Sequence, residues 1–180
     1  MKKLIIPIVI VLLLIIIGSV FILNNYESNQ QIHTMKSFLE SYYTVNDFKI
    51  LDDLENQVNL ENIISIFDAL YEEEYKSYIT KDCYNDIVAN RSIFYTKTIA
   101  KDFNCTMSLS GVEFDRLADT VDGSPAFSYT VRVKTTLEDQ KSRDIVETGT
   151  LTIKRVDNKW LINNFYCRRE LYGEVKKLMR

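Results

Sequence analysis

Between Leu4 and Leu23 the chain carries no charged residue, and Lys2 and Lys3 stand directly before that run. Twenty residues at about 1.5 Å each make about 30 Å of helix, the thickness of a bilayer's hydrocarbon core. The expectation is a retained transmembrane helix that contacts the lipid bilayer through residues 4–23, with Pro7 near its start, where a missing N–H costs little. A cleaved signal peptide is the alternative. Its apolar region is usually about 7 to 15 residues long and ends in a small-x-small site. Here Gly18-Ser19-Val20 runs straight into Phe21-Ile22-Leu23, and no cysteine follows that could carry a lipoprotein anchor. After the run, Asn24 to Glu27 offer no cation, and the first is Lys36. The positive-inside rule therefore puts the N-terminus in the cytoplasm and the rest of the chain outside the cell membrane, crossed once.

Charge narrows the function classes. Of 22 basic residues, Lys2 and Lys3 precede the exterior part, leaving twenty against 25 acidic ones and a net charge of −5. That balance argues against a general nucleic-acid or anionic-surface binder. Cys83, Cys105 and Cys167 lie far apart, in no spacing that suggests zinc. Either Cys105 pairs with Cys167 across neighbouring strands or, the favoured reading, all three are small buried thiols. A composition rich in Ile, Lys and Asn is that of a low-GC bacterial chain, so the sequons at Asn90 and Asn104 are not expected to carry glycans.

Hydropathy periods give an α+β layout. Residues 24–31 form a short juxtamembrane linker. Ile32, Met35, Phe38, Leu39 and Tyr42 recur at helical spacing, and Asp47 to Leu54 form a short helix capped by Asn46. Leu60, Ile63, Ile64, Phe67, Leu70 and Tyr71 make the apolar stripe of a longer helix, with Glu72 to Glu74 on its far side. Thr80 or Asp82 caps a further helix that carries Tyr84, Ile87 and Val88. After Arg91 the period changes to two: Phe103, Cys105, Met107 and Leu109 alternate with polar residues, then the phase slips by one at Ser110-Gly111, as a β-bulge requires. A turn at Asp122-Gly123-Ser124-Pro125 precedes Phe127, Tyr129, Val131, Val133 and Leu137 on one strand face. A charged turn from Glu138 to Arg143 leads to a strand with Leu151 and Ile153. Asp157-Asn158 turns the chain into Trp160 to Phe165. About three helices followed by a four-strand antiparallel meander give a curved sheet closing on helices.

This pattern resembles the NTF2-like superfamily, whose cone-shaped domain puts helices first and a strongly bent sheet after them. The residues that carry the resemblance are the helix around Ile63 to Tyr78, the phrase Tyr78-Ile79-Thr80-Lys81-Asp82-Cys83-Tyr84, and the closing Asp157-Asn158-Lys159-Trp160-Leu161-Ile162. It covers residues 32–166. One N-terminal span followed by such a domain is also similar to VirB8 and TcpC type components of conjugation machines and to small membrane-anchored NTF2-like proteins of Gram-positive bacteria. The domain is expected over 32–167, with a basic helix or tail over 168–180.

Enzymes of that superfamily work with an Asp or His inside the cone. The sole histidine, His33, lies at the start of the first exterior helix, where a solvated role is expected. Asp115, near a strand end, is the weak candidate for a general base, and Asp68 and Glu72 to Glu74 read as solvated. No phosphate loop, nucleophile elbow or metal-spaced ligand set appears, so no catalytic, cofactor or metal residue is assigned and catalysis is the minority reading. Phe67, Tyr71, Tyr78, Tyr129 and Trp160 are the candidate lining of a cone pocket, although amphipathic tyrosines and a core tryptophan also pack well against a sheet. Arg168, Arg169, Lys176, Lys177 and Arg180, around the stripe Leu171, Val175, Leu178, are the candidate membrane or partner contact, with ordinary packing of a terminal helix the competing reading. The expected function is a membrane-anchored extracytoplasmic binding or scaffolding module that self-associates or holds a protein partner, in a secretion, conjugation or cell-envelope assembly. A small-molecule or peptide receptor that uses the cone is the alternative, ahead of an isomerase or dehydratase.

Overall fold

The computed structural model describes residues 25–57 and 59–179. The apolar run at 4–23 and Arg180 lie outside them. Among the described residues no helix is long and apolar enough to cross a membrane. The chain divides into two units, Met1–His33 and Thr34–Arg180. In the first, residues 25–33 are helical, so the stretch expected to serve as a linker has regular structure, and Tyr26, Ile32 and His33 are exposed.

The second unit is α+β. Its helix α1, residues 34–43, buries Met35, Phe38, Leu39, Tyr42 and Tyr43, each at most 1% exposed. Those positions repeat at three and four residues, which gathers them on one helical face. Helix α2 (Lys49–Glu55) buries nothing. The helix starts two residues later than expected, so Phe48 and not Asn46 stands at the cap position without a side-chain cap bond, and the Asp47 carboxylate just before it accepts the Lys49 N–H at 3.2 Å. Helix α3 (Leu60–Leu70) is capped by Asn59 and runs into a wide π turn, Tyr71–Tyr75, which rotates Tyr75 into the core. Thr80 caps α4 (Lys81–Ala89) by accepting the Cys83 N–H.

Helix α5 (Tyr95–Phe103) replaces the start of the extended region expected after Arg91. Thr96, Ile99 and Ala100 are its buried stripe, and Asn104, at φ 46°, ends it in a left-handed cap. Phe103 thus closes a helix, and the alternation begins at Cys105.

Four strands follow in the order β1-β2-β3-β4, all antiparallel: β1 (Cys105–Arg116), β2 (Ala126–Leu137), β3 (Ser142–Val156) and β4 (Lys159–Cys167). The register of β1 on β2 slips between Leu109 and Gly111, where the phase change predicted a bulge. A second slip at Thr152/Ile153 against β4 adds to the bend of the sheet. Asp157 and Asn158, at φ 47° and 64°, form the tight turn between β3 and β4, as their type favours. Helix α6 (Leu171–Leu178) closes the chain. Helix α4 lies against β4, α5 against β1 and α6 against β3.

The two phrases that carry the sequence resemblance meet in space. Ile79 bridges Ile162 in parallel, the Thr80 N–H donates to the Ile162 carbonyl at 2.9 Å, and the Ile162 N–H donates to the Tyr78 carbonyl at 2.8 Å. The three cysteines are free and buried. Cys105 and Cys167 stand on β1 and β4, the opposite edges of the sheet, so the pairing alternative fails on topology.

Candidate functional site

The inner face of the sheet is occupied by the chain's own rings. Phe165 of β4 lies 4.9 Å from Phe38 and 4.8 Å from Tyr42, centroid to centroid, and stacks on Tyr129 at 5.9 Å. Tyr42 and Tyr43 meet edge to face at 5.0 Å. Their polar ends are used inside: the Tyr42 hydroxyl donates to the Ser92 carbonyl at 2.8 Å, and Tyr129 donates to the Tyr166 carbonyl at 3.2 Å while lying 3.3 Å from the Tyr43 hydroxyl. Burial pushes the Tyr42, Tyr43 and Tyr129 phenols well above the ordinary tyrosine value. They are neutral hydrogen-bonding groups at physiological pH and unsuited to act as bases.

Of the five predicted pocket residues, Tyr129 is buried within this cluster, and Phe67, Tyr71, Tyr78 and Trp160 are half-buried against the core. Phe67 meets Phe94 in a tilted pair at 5.5 Å, and its carbonyl accepts the Tyr84 hydroxyl at 2.6 Å. Tyr71 lies 5.0 Å from Tyr84, with the Lys81 ammonium 4.3 Å from its ring centre. The Arg155 guanidinium stands 6.0 Å from the Trp160 ring centre. Asp115 is exposed on β1, turned away from the inner face.

Sequence reasoning missed Glu147. Its side chain is fully buried on the inner face of β3, in line with Ile145, Gly149, Leu151 and Ile153. The carboxylate accepts the Leu171 N–H at 2.8 Å, the Glu170 N–H at 3.2 Å and the Tyr95 hydroxyl at 3.4 Å. Tyr95 in turn accepts the Tyr172 N–H at 3.2 Å. Helix α6 has no cap of its own at Glu170, so a strand residue and a residue of α5 do that work. Burial raises the Glu147 carboxyl above the usual range, against the two N–H bonds that lower it. The signal was legible: Glu147 falls on the inward phase of a strand otherwise apolar on that face.

The C-terminal basic residues divide. Leu171 and Val175 are buried and Leu178 packs on the core, so the apolar stripe of α6 faces its own domain. Arg169 is turned back onto the fold, donating to the Asn90 carbonyl at 2.8 Å and to Ser92 Oγ at 2.6 Å. Lys177 pairs with Glu174 at 2.5 Å, and Arg168 and Lys176 are exposed.

Among the described residues, clefts open at the surface. One of about 650 Å³ lies between the start of α2 and the loop joining β2 to β3, with Phe48 and Leu137 in its walls. It shares Asn46 and Asp47 with a second, of about 410 Å³, beside Glu40 and Glu74. It shares Asn104, Leu137 and Glu138 with a third, of about 490 Å³, which reaches Leu178 and Met179.

No family model matches the chain, and no curated protein matches it. Among solved structures it is similar to a periplasmic fragment of TraM, at 16% identity and a TM-score of 0.45, over 78% of this chain and 96% of that one. It is also similar to a calcium/calmodulin dependent protein kinase II association domain from Xanthomonas campestris, at 20% identity and a TM-score of 0.27, over 43% of this chain and 53% of that one. Likenesses of this size do not extend to function.

Proposed function

We propose that this chain is a membrane-anchored binding or scaffolding module. Residues 1–23 hold it in the cell membrane with the N-terminus in the cytoplasm, 24–31 link the span to the domain, and 32–167 form an NTF2-like cone outside, followed by the basic segment 168–180. The observation that carries the reading is the packed aromatic interior. Phe38, Tyr42, Tyr43, Tyr129 and Phe165 contact one another where a cone-shaped receptor or enzyme would hold its ligand. Work at the outer surface follows, in a secretion, conjugation or cell-envelope assembly.

The enzymatic reading draws support from one feature, a buried carboxylate beside a phenol, Glu147 with Tyr95. Both Glu147 oxygens already accept backbone N–H groups of α6, so the pair serves the fold. Native mass spectrometry of the full chain released from bacterial membranes tests the proposal. The expected result is a discrete homo-oligomer or a complex with another protein. A monomer that retains a small apolar molecule, and loses it when Tyr129 is replaced by Leu, overturns it in favour of the receptor.

A further inference from the structure

The three surface clefts share walls and form one furrow from Glu40 past Phe48 and Glu138 to Met179. Its charges are unbalanced. Asp52, Glu74 and Asp139 are each paired with a lysine, at 2.8, 3.7 and 2.7 Å. Glu40, Asp47, Asp102 and Glu138 have no basic partner among the described residues, while Lys49 is the cation of the lining left without one. Apolar side chains interrupt the polar lining: Phe48 and the buried Leu137 in the first cleft, then Phe103, Leu178 and Met179 in the third, the last 59% exposed. A lipid surface is a poor fit, because anionic headgroups would face four carboxylates. A nucleic acid fails for the same reason.

We infer that this furrow docks a cationic amphipathic polypeptide segment of a partner protein, whose lysine or arginine side chains meet Glu40, Asp47, Asp102 and Glu138 while its apolar side chains cover Phe48 and Met179. The inference rests on the module reading above. Charge complementarity selects the partner and speeds its approach to a domain of net negative charge. The apolar walls hold it after salt has screened the ion pairs.

The test uses the full chain in nanodiscs of zwitterionic lipid, with empty discs as the blank. The probe is a labelled peptide of lysine and leucine in amphipathic order, run beside two counterparts, one with glutamate for each lysine and one with serine for each leucine. The expected result is saturable binding of the first peptide alone, weakened about tenfold or more in the triple variant Glu40→Gln, Asp47→Asn, Glu138→Gln. A matched control, Glu73→Gln, Asp82→Asn, Asp115→Asn, removes the same charge elsewhere on exposed positions and leaves binding within about twofold. Met179→Ser weakens the peptide without altering the salt dependence. Equal loss in both triple variants means attraction to net charge alone and overturns the furrow. So does a full chain that ignores the peptide while still forming its complex in membranes, an outcome that leaves the module reading standing.

Discussion

A methyl group on Gly149 would lie 2.1 Å from the Tyr166 carbonyl oxygen and 2.4 Å from the Tyr129 hydroxyl. Gly149 pairs with Tyr129 on β2 and Cys167 on β4, so the phenol ring lies across it and no side chain fits beneath. Gly149→Ala is therefore expected to destabilise the domain by about 3 kcal/mol in urea unfolding, and by less in a Tyr129→Leu background. Gly173 is the converse case. A Cβ there meets nothing within 4 Å, and Gly173→Ala in α6 should stabilise by about 0.5 to 1 kcal/mol. Burial pushes the Cys83 thiol up to about 12 and Cys105 up to about 11, and raises Cys167. At pH 8 iodoacetamide should label the native chain about a hundredfold or more slowly than the urea-unfolded one, read by mass spectrometry. Glu147 gives a signed pH effect. Its folded-state pKa is raised, so the folded chain binds that proton more tightly than the unfolded one. Its contribution is present below the ordinary carboxylate value and is lost as pH rises through the raised one. Stability of the wild type relative to Glu147→Gln should fall across that window, and a flat difference would contradict the burial argument.

Helix α6 has eight residues, too few to persist alone, and is held at its start by a strand residue and along its face by Leu171 and Val175. Glu147→Ala leaves the Glu170 and Leu171 N–H groups without their acceptor, at a cost of about 1 to 3 kcal/mol. Hydrogen exchange of amides 171–175 should quicken while that of β2 changes little. Which elements were legible beforehand follows from the range of the forces that make them. The bulge at Gly111 and the turn at Asp157-Asn158 come from local phase and local backbone preference, and both read directly. The buried stripe of α1 reads from spacing alone. Helix α5 did not, because Tyr95-Thr96-Lys97-Thr98-Ile99 is rich in β-branched and aromatic residues and becomes helical only where Thr96, Ile99 and Ala100 find the sheet. The same holds for the candidate site. Tyr129 and the basic positions of α6 could be named, but the furrow joins residues as distant as Glu40 and Met179, and no local pattern brings those together.

In the second unit the sheet has strand edges at β1 and β4, and helical-side backbone meets both: Val45 bridges Met107, and Ile79 bridges Ile162. These two bridges tie the helical half of the unit to the first and last strands. A chain truncated after Val156 would lose β4 and α6, and with them Phe165, Ile162, Leu171 and Val175. It is expected to lack any trypsin-resistant core, whereas the full chain should give one, visible on a gel. A stable truncated fragment would show that β1 to β3 and the earlier helices hold together without β4 and α6. The bridges also bear on how the molecule is made. A ribosome releases α1 first, and the rings of Phe38 and Tyr42 have no Phe165 to meet until nearly the whole chain has emerged. Part of the greasy face of α1 thus stays without its final cover until β4 is made, and a holding chaperone or translocation machinery would have to shield it.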